Sequence, residues 1–210
     1  RALDSKGNYV GVFDVDGSKN LFLTTPKITS VSNINGGVKI KWNKLGGASG
    51  YRVYRKEGNS DWTSVGTAEG TTFVDKKAVS GKTYTYTVRC LDAKGNLASG
   101  YNSGKSIKYV KAPIITKYVN TATGTKITWT KCAGAAKYRI SFINSKGKWQ
   151  KLAVVSSTSF THEKLTTGKT YTYAVRCLDS KGNLVFGVKG ELISVGKRFR
   201  INDASGKELA

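Results

Sequence analysis

The chain is poor in the residues that build active sites and disulfide frameworks. Its 210 residues include 3 cysteines, 2 prolines, a single histidine and no methionine. Acidic residues are scarce too, 13 against 35 basic ones. Three cysteines cannot form a disulfide framework, and no Cys/His spacing suits a metal. The few carboxylates are scattered, whereas glycoside hydrolysis needs two at a defined separation in a cleft. Glycine-rich phosphate-cradling motifs are absent. No apolar run nears the ~20 residues that a bilayer span needs, so no membrane insertion is expected. No stretch keeps the i, i+3, i+4, i+7 spacing of an amphipathic helix. These shortages argue against catalysis, cofactors and metals.

What the chain does have is an internal repeat. YTYTVRCLDAKGNL at 84–97 returns as YTYAVRCLDSKGNL at 171–184, an offset of 87 residues. The same offset relates Pro26 to Pro113, Trp42 to Trp129, Tyr51 to Tyr138, Trp62 to Trp149 and Phe73 to Phe160. A constant offset over a domain-sized span means two copies of one folding unit in series. The expected units are 26–112 and 113–197, each long enough for a modest core. RALDSKGN at 1–8 matches RCLDAKGN at 89–96, so 1–25 reads as the end (strands F and G) of a further copy. Residues 198–210 do not restart the pattern and read as a linker or the start of another module. Little linker separates the two full copies, which predicts a semi-rigid rod.

Within each copy, short runs alternate with period two and are rich in Val, Ile, Thr and Tyr. This predicts an all-β fold of antiparallel sandwiches. Val38, Ile40 and Trp42 alternate with Lys39 and Lys41, giving an apolar inner face and a cationic outer one. Trp42 and Trp129 are core candidates. The LDxKGN element places Gly7, Gly95 and Gly182 where a tight turn needs positive φ, so its Asp92 and Asp179 read as turn residues. Cys90 and Cys177 share a slot that holds Ala2 in the first segment, which reads as a small buried site. Buried free thiols are expected, with a Cys132–Cys177 bridge as the alternative. His162 occupies the slot of Asp75 and reads as a variable polar turn position.

Together these features resemble fibronectin type III domains: one Trp in an early strand, and GKTYTYTVRC with Tyr84 and Tyr171 placed like the tyrosine corner that opens strand F. NGGVKIKWNKLGGASGYRVYRK more narrowly resembles tandem repeats of this type in secreted and wall-attached proteins of Gram-positive anaerobes. The resemblance implies immunoglobulin-like (fibronectin type III) β-sandwiches with strand A near Ile28, B at 38–42, C at 51–55, C′ around Trp62, E at 72–74, F at 84–90 and G near 106–109. It also implies an extracellular or cell-wall-associated location. No Arg-Gly-Asp loop is present, so integrin binding does not carry over.

Net charge is +22. Residues 26–112 carry 15 basic and 5 acidic groups, and residues 113–196 carry 13 and 3, so each copy is near +10. Such a surface attracts polyanions in a salt-sensitive way. An anionic wall polymer or glycan is the expected partner, with nucleic acid bound only non-specifically. The candidate ligand-binding residues are Arg52, Tyr54, Trp62 and Arg89 in the first copy and Arg139, Trp149 and Arg176 in the second. Charge plus aromatic stacking could hold an anionic glycan there. The main reading is a non-catalytic extracellular spacer or adhesion module of a larger bacterial protein. The alternatives are a carbohydrate-binding accessory of a polysaccharide-degrading enzyme, or the stalk of a surface fibre in which 1–25 adds strands to another chain.

Overall fold

The computed structural model describes residues 2–3, 5–10 and 21–185. Strands β1 (Ala2–Leu3) and β2 (Tyr9–Val10) form a hairpin. The first full repeat holds β3 (Ile28–Ile34), β4 (Gly37–Trp42), β5 (Gly50–Glu57), β6 (Thr63–Ala68), β7 (Thr72–Asp75), β8 (Thr83–Leu91) and β9 (Lys105–Lys108). The second holds β10 (Ile115–Thr121), β11 (Gly124–Trp129), β12 (Lys137–Ile143), β13 (Trp149–Val155), β14 (Ser159–Glu163) and β15 (Tyr173–Leu178). Every pairing is antiparallel. The first repeat forms sheets in the order β3-β4-β7 and β6-β5-β8-β9, and the second β10-β11-β14 and β13-β12-β15. The expected strand G of the second repeat, the 198–210 segment, and residues 11–20 of the first segment lie outside the described residues.

Period-two alternation decides which face is buried. Val38, Ile40 and Trp42 of β4, Tyr51 and Val53 of β5, and Tyr84, Tyr86, Val88 and Cys90 of β8 turn inward and are buried. Together they form the first core. The second core repeats it with Ile127, Trp129, Tyr138, Ile140, Tyr173, Val175 and Cys177. Full burial of one such side chain contributes roughly 1.5–3 kcal/mol. Trp42 meets Tyr51 edge-on with centroids 5.4 Å apart, and Trp129 meets Tyr138 in the same way at 5.6 Å. The two cores are thus built to one plan. Cys90, Cys132 and Cys177 are buried free thiols. The hydrogen bond to Cys132, together with burial, holds the Cys177 thiol well above its ordinary pKa.

The turns follow the sequence reading. The Asp92 carboxylate accepts from the Lys94 and Asn96 backbone N–H groups and from the Asn96 amide. Those bonds hold its pKa below the usual carboxylate value. Gly95 then takes φ 82° and Gly182 φ 85°, a left-handed turn that a Cβ would strain. The tyrosine corners are in place: the Tyr84 hydroxyl accepts from Val79 N at 3.1 Å, and the Tyr171 hydroxyl from Thr166 N at 3.0 Å.

Three positions depart from the sequence reading. Trp62 stands one residue ahead of β6, whereas Trp149 opens β13. Asp75 and His162 are not turn residues. Asp75 ends β7 at 2% exposure, and His162 pairs with Thr125 inside a sheet. Both side chains reach inward because strand alternation gives them the core face, where each needs a polar partner. His162 meets the Tyr173 hydroxyl at 3.0 Å between the rings of Phe142 and Tyr171. Burial lowers its pKa from the ordinary 6.5. The folded state therefore favours neutral imidazole, and the stability this gives is complete above the unfolded pKa and lost as pH falls below it. Urea denaturation at pH 7 and pH 5 should show the second repeat weakening on acidification, and His162→Phe should flatten that dependence.

The repeats touch directly. The Ser80 hydroxyl donates to Ala133 O at 2.9 Å and accepts from Lys111 N. Asn33 Nδ2 donates to Lys108 O and to Val185 O. A Cβ on Gly134 would lie 2.9 Å from the Gly81 Cα, so small residues allow this approach.

Candidate functional site

Among the described residues, no group of three or more His, Cys, Asp or Glu could hold a metal ion. A hollow of about 390 Å³ is lined by Glu69 and Asp92. Asp92, however, is engaged in its turn. Asp75 is bound by Arg55 at 2.7 Å, by the Tyr86 hydroxyl and by Lys77 N. That is a structural network at the sandwich edge.

The distinctive surface is the outer face of the β6-β5-β8-β9 sheet. Arg52, Tyr54 and Lys56 alternate outward along β5, and Arg52 pairs in register with Arg89 of β8. Tyr101, in the loop between β8 and β9, folds back over this face. Its ring lies edge-on to Tyr54 at 5.1 Å and parallel to Trp62 at 5.8 Å, with a 6° interplanar angle. The Arg89 guanidinium sits 4.5 Å from the Tyr101 centroid and 6.0 Å from that of Tyr54. Lys56 Nζ lies 5.0 Å from the Trp62 centroid. Arg89 Nε donates to Ser99 O at 2.6 Å, which fixes its direction. The face is thus a run of cation, ring, ring and cation, with cation–π attraction at both ends.

Four sequence candidates, Arg52, Tyr54, Trp62 and Arg89, therefore share one face. Tyr54 is less open than its outward direction suggested, at 7% exposure, because Tyr101 covers it. Sequence reasoning missed Tyr101 and Lys56. The available signal for Tyr101 was its lack of a counterpart: the repeat offset puts Val188 there. In the second repeat Arg139 and Arg176 again face each other in register, and burial and then the Arg139 charge lower the Arg176 pKa. Ser141 replaces Tyr54, and Trp149 pairs with Ile143, four residues along β12 from Arg139. Among the described residues, the aromatic platform lies on the first repeat.

Strand order decides the fold. Three strands (A-B-E) face four (C′-C-F-G), with tyrosine corners opening strand F, and the second repeat follows the same order over its described strands. Each repeat is a fibronectin type III sandwich. No family profile matches the chain. It is 32% identical over 152 residues to exoglucanase B of Cellulomonas fimi, which covers 65% of this chain and 13% of that enzyme. It is 34% identical over 79 residues to an amylopullulanase of Thermoanaerobacterium saccharolyticum, covering 35% of this chain and 6% of that protein. The chain thus spans a small part of the length of these relatives. Among solved structures, a two-domain fibronectin type III segment of chicken tenascin covers 74% of the chain and 92% of its own length at 16% identity and TM-score 0.38. An Fn3-like protein from Clostridium thermocellum covers 40% and 91% at 22% identity and TM-score 0.34. The fold assignment rests on strand order rather than on these superpositions. Among the described residues, no helix is long and apolar enough to cross a membrane.

Proposed function

We propose that the chain is a non-catalytic, extracellular pair of fibronectin type III repeats (26–112 and 113–197) serving as an accessory segment of a polysaccharide-degrading protein, with the first repeat contacting glycan. The observation that carries this reading is the Trp62–Tyr101–Tyr54–Arg89 face, an aromatic and cationic surface without catalytic groups. The partial likeness to an exoglucanase and two amylopullulanases supports it over a purely adhesive role. The direct contacts between Ser80 and Ala133 and between Asn33 and Val185 suit a spacer that holds its neighbours in a set relation.

Pull-down on a panel of neutral and acidic polysaccharides tests it. The chain should be retained on at least one, Trp62→Ala should weaken retention about tenfold, and Trp149→Ala should leave it nearly unchanged. Retention on none would reject the reading. A second reading, a spacer docked on anionic envelope polymers, is favoured by the equal basicity of the two repeats. In that case, neutralising cations on either repeat should matter equally.

A further inference from the structure

We infer that the outer face of the β6-β5-β8-β9 sheet is an anion-selective site whose ligand is a carboxylate-bearing polysaccharide, held by Arg52, Lys56 and Arg89. The inference rests on the glycan-contact reading and adds the charge of the glycan. Arg52 and Arg89 are directly opposite on neighbouring strands. At that register the Cβ atoms lie about 5 Å apart and like charges repel. Arginine does not escape repulsion by losing its proton. Among the described residues the ion pairs are Arg55–Asp75 and Lys82–Glu57, and neither involves this face. Arg52 and Arg89 thus repel across the strands, and Lys56, four residues further along β5, adds a third cation; none of the three is within salt-bridge distance of a described carboxylate. A bound carboxylate relieves that repulsion, and guanidinium groups fit its geometry through paired N–H donors.

The aromatic rings decide between ligand classes. A neutral sugar, or the bases of a single strand, would need open ring faces for stacking. Here Trp62 and Tyr101 are stacked on each other, with Lys56 over one ring and Arg89 over the other. The rings act chiefly as props that hold the two cations in place. Recognition falls to charge, and the similarity to polysaccharide-acting proteins makes the polymer a glycan rather than a nucleic acid.

The test is affinity electrophoresis of the whole chain through gels containing polygalacturonate, hydroxyethylcellulose or duplex DNA. Polygalacturonate should retard the chain, less so as salt rises. Arg52→Gln with Lys56→Gln should weaken that retardation about tenfold. Lys39→Gln with Lys41→Gln removes the same charge from the other sheet and should change it less than about twofold. Arg52→Lys with Lys56→Arg should restore most of the binding, and thermal melts confirm that each variant is folded. Equal weakening by both glutamine pairs would overturn the site in favour of diffuse charge. DNA retardation as strong as that by polygalacturonate would overturn the choice of ligand. Retardation by hydroxyethylcellulose alone would overturn this inference but leave the accessory reading standing, whereas retention on no polysaccharide would remove both.

Discussion

Replacing Arg55 by alanine is expected to destabilise the first repeat by about 3 kcal/mol, because it strands a charge inside the fold. Arg55 Nη1 lies 2.7 Å from Asp75 Oδ2, and the Asp75 side chain is only 2% exposed. The Tyr86 hydroxyl donates to the same oxygen at 2.9 Å, and Lys77 N donates to the other. Burial, and then the Asp75 charge, push the Tyr86 phenol pKa well up, so Tyr86 stays a donor. Without Arg55, the carboxylate keeps two neutral donors and loses its counter-charge. The second repeat shows how the same space is filled without ions, since Phe142, His162 and Tyr173 occupy the slots of Arg55, Asp75 and Tyr86. There the ring of His162 lies 4.9 Å from that of Phe142 and bonds the Tyr173 hydroxyl. The double exchange Arg55→Phe with Asp75→His should therefore recover most of the loss. Denaturant titration of the three proteins checks this. A cost for Arg55→Ala below about 1 kcal/mol would mean that water reaches the carboxylate.

Trp129→Ala is expected to cost the second repeat about 3–5 kcal/mol and to leave the first nearly unchanged. Trp129 is 2% exposed and packs edge-on against Tyr138, and the two core clusters share no residue. Trp42→Ala should do the reverse. Calorimetry should resolve one transition that moves down in each variant and one that stays. If both transitions fell together, the Ser80–Ala133 and Asn33–Val185 bonds would be coupling the two sandwiches into one cooperative unit.

The platform on the first repeat was half legible. Arg52, Tyr54 and Arg89 could be placed on one outward face because strand alternation is a local rule. Tyr101 could not, because it sits in a loop whose path depends on what it packs against, and loops carry no periodicity. Its ring is what buries Tyr54 and joins Trp62 to Arg89. Asp75 and His162 were misjudged for a related reason. A polar residue between strand-like runs looks like a turn, until a partner from another strand (Arg55 for one, Tyr173 for the other) makes an inward position tolerable.

By itself the sequence determined the duplication, the all-β class, the two tryptophan-centred cores and the LDxKGN turns. Each of these is written in spacing, in period or in one residue's backbone preference. Tertiary structure alone decided which cations lie against rings and which against carboxylates, and how Tyr101 joins Trp62 to Arg89 on the first repeat. Those outcomes depend on side chains far apart in the chain meeting across strands and loops, and local sequence carries no record of such meetings.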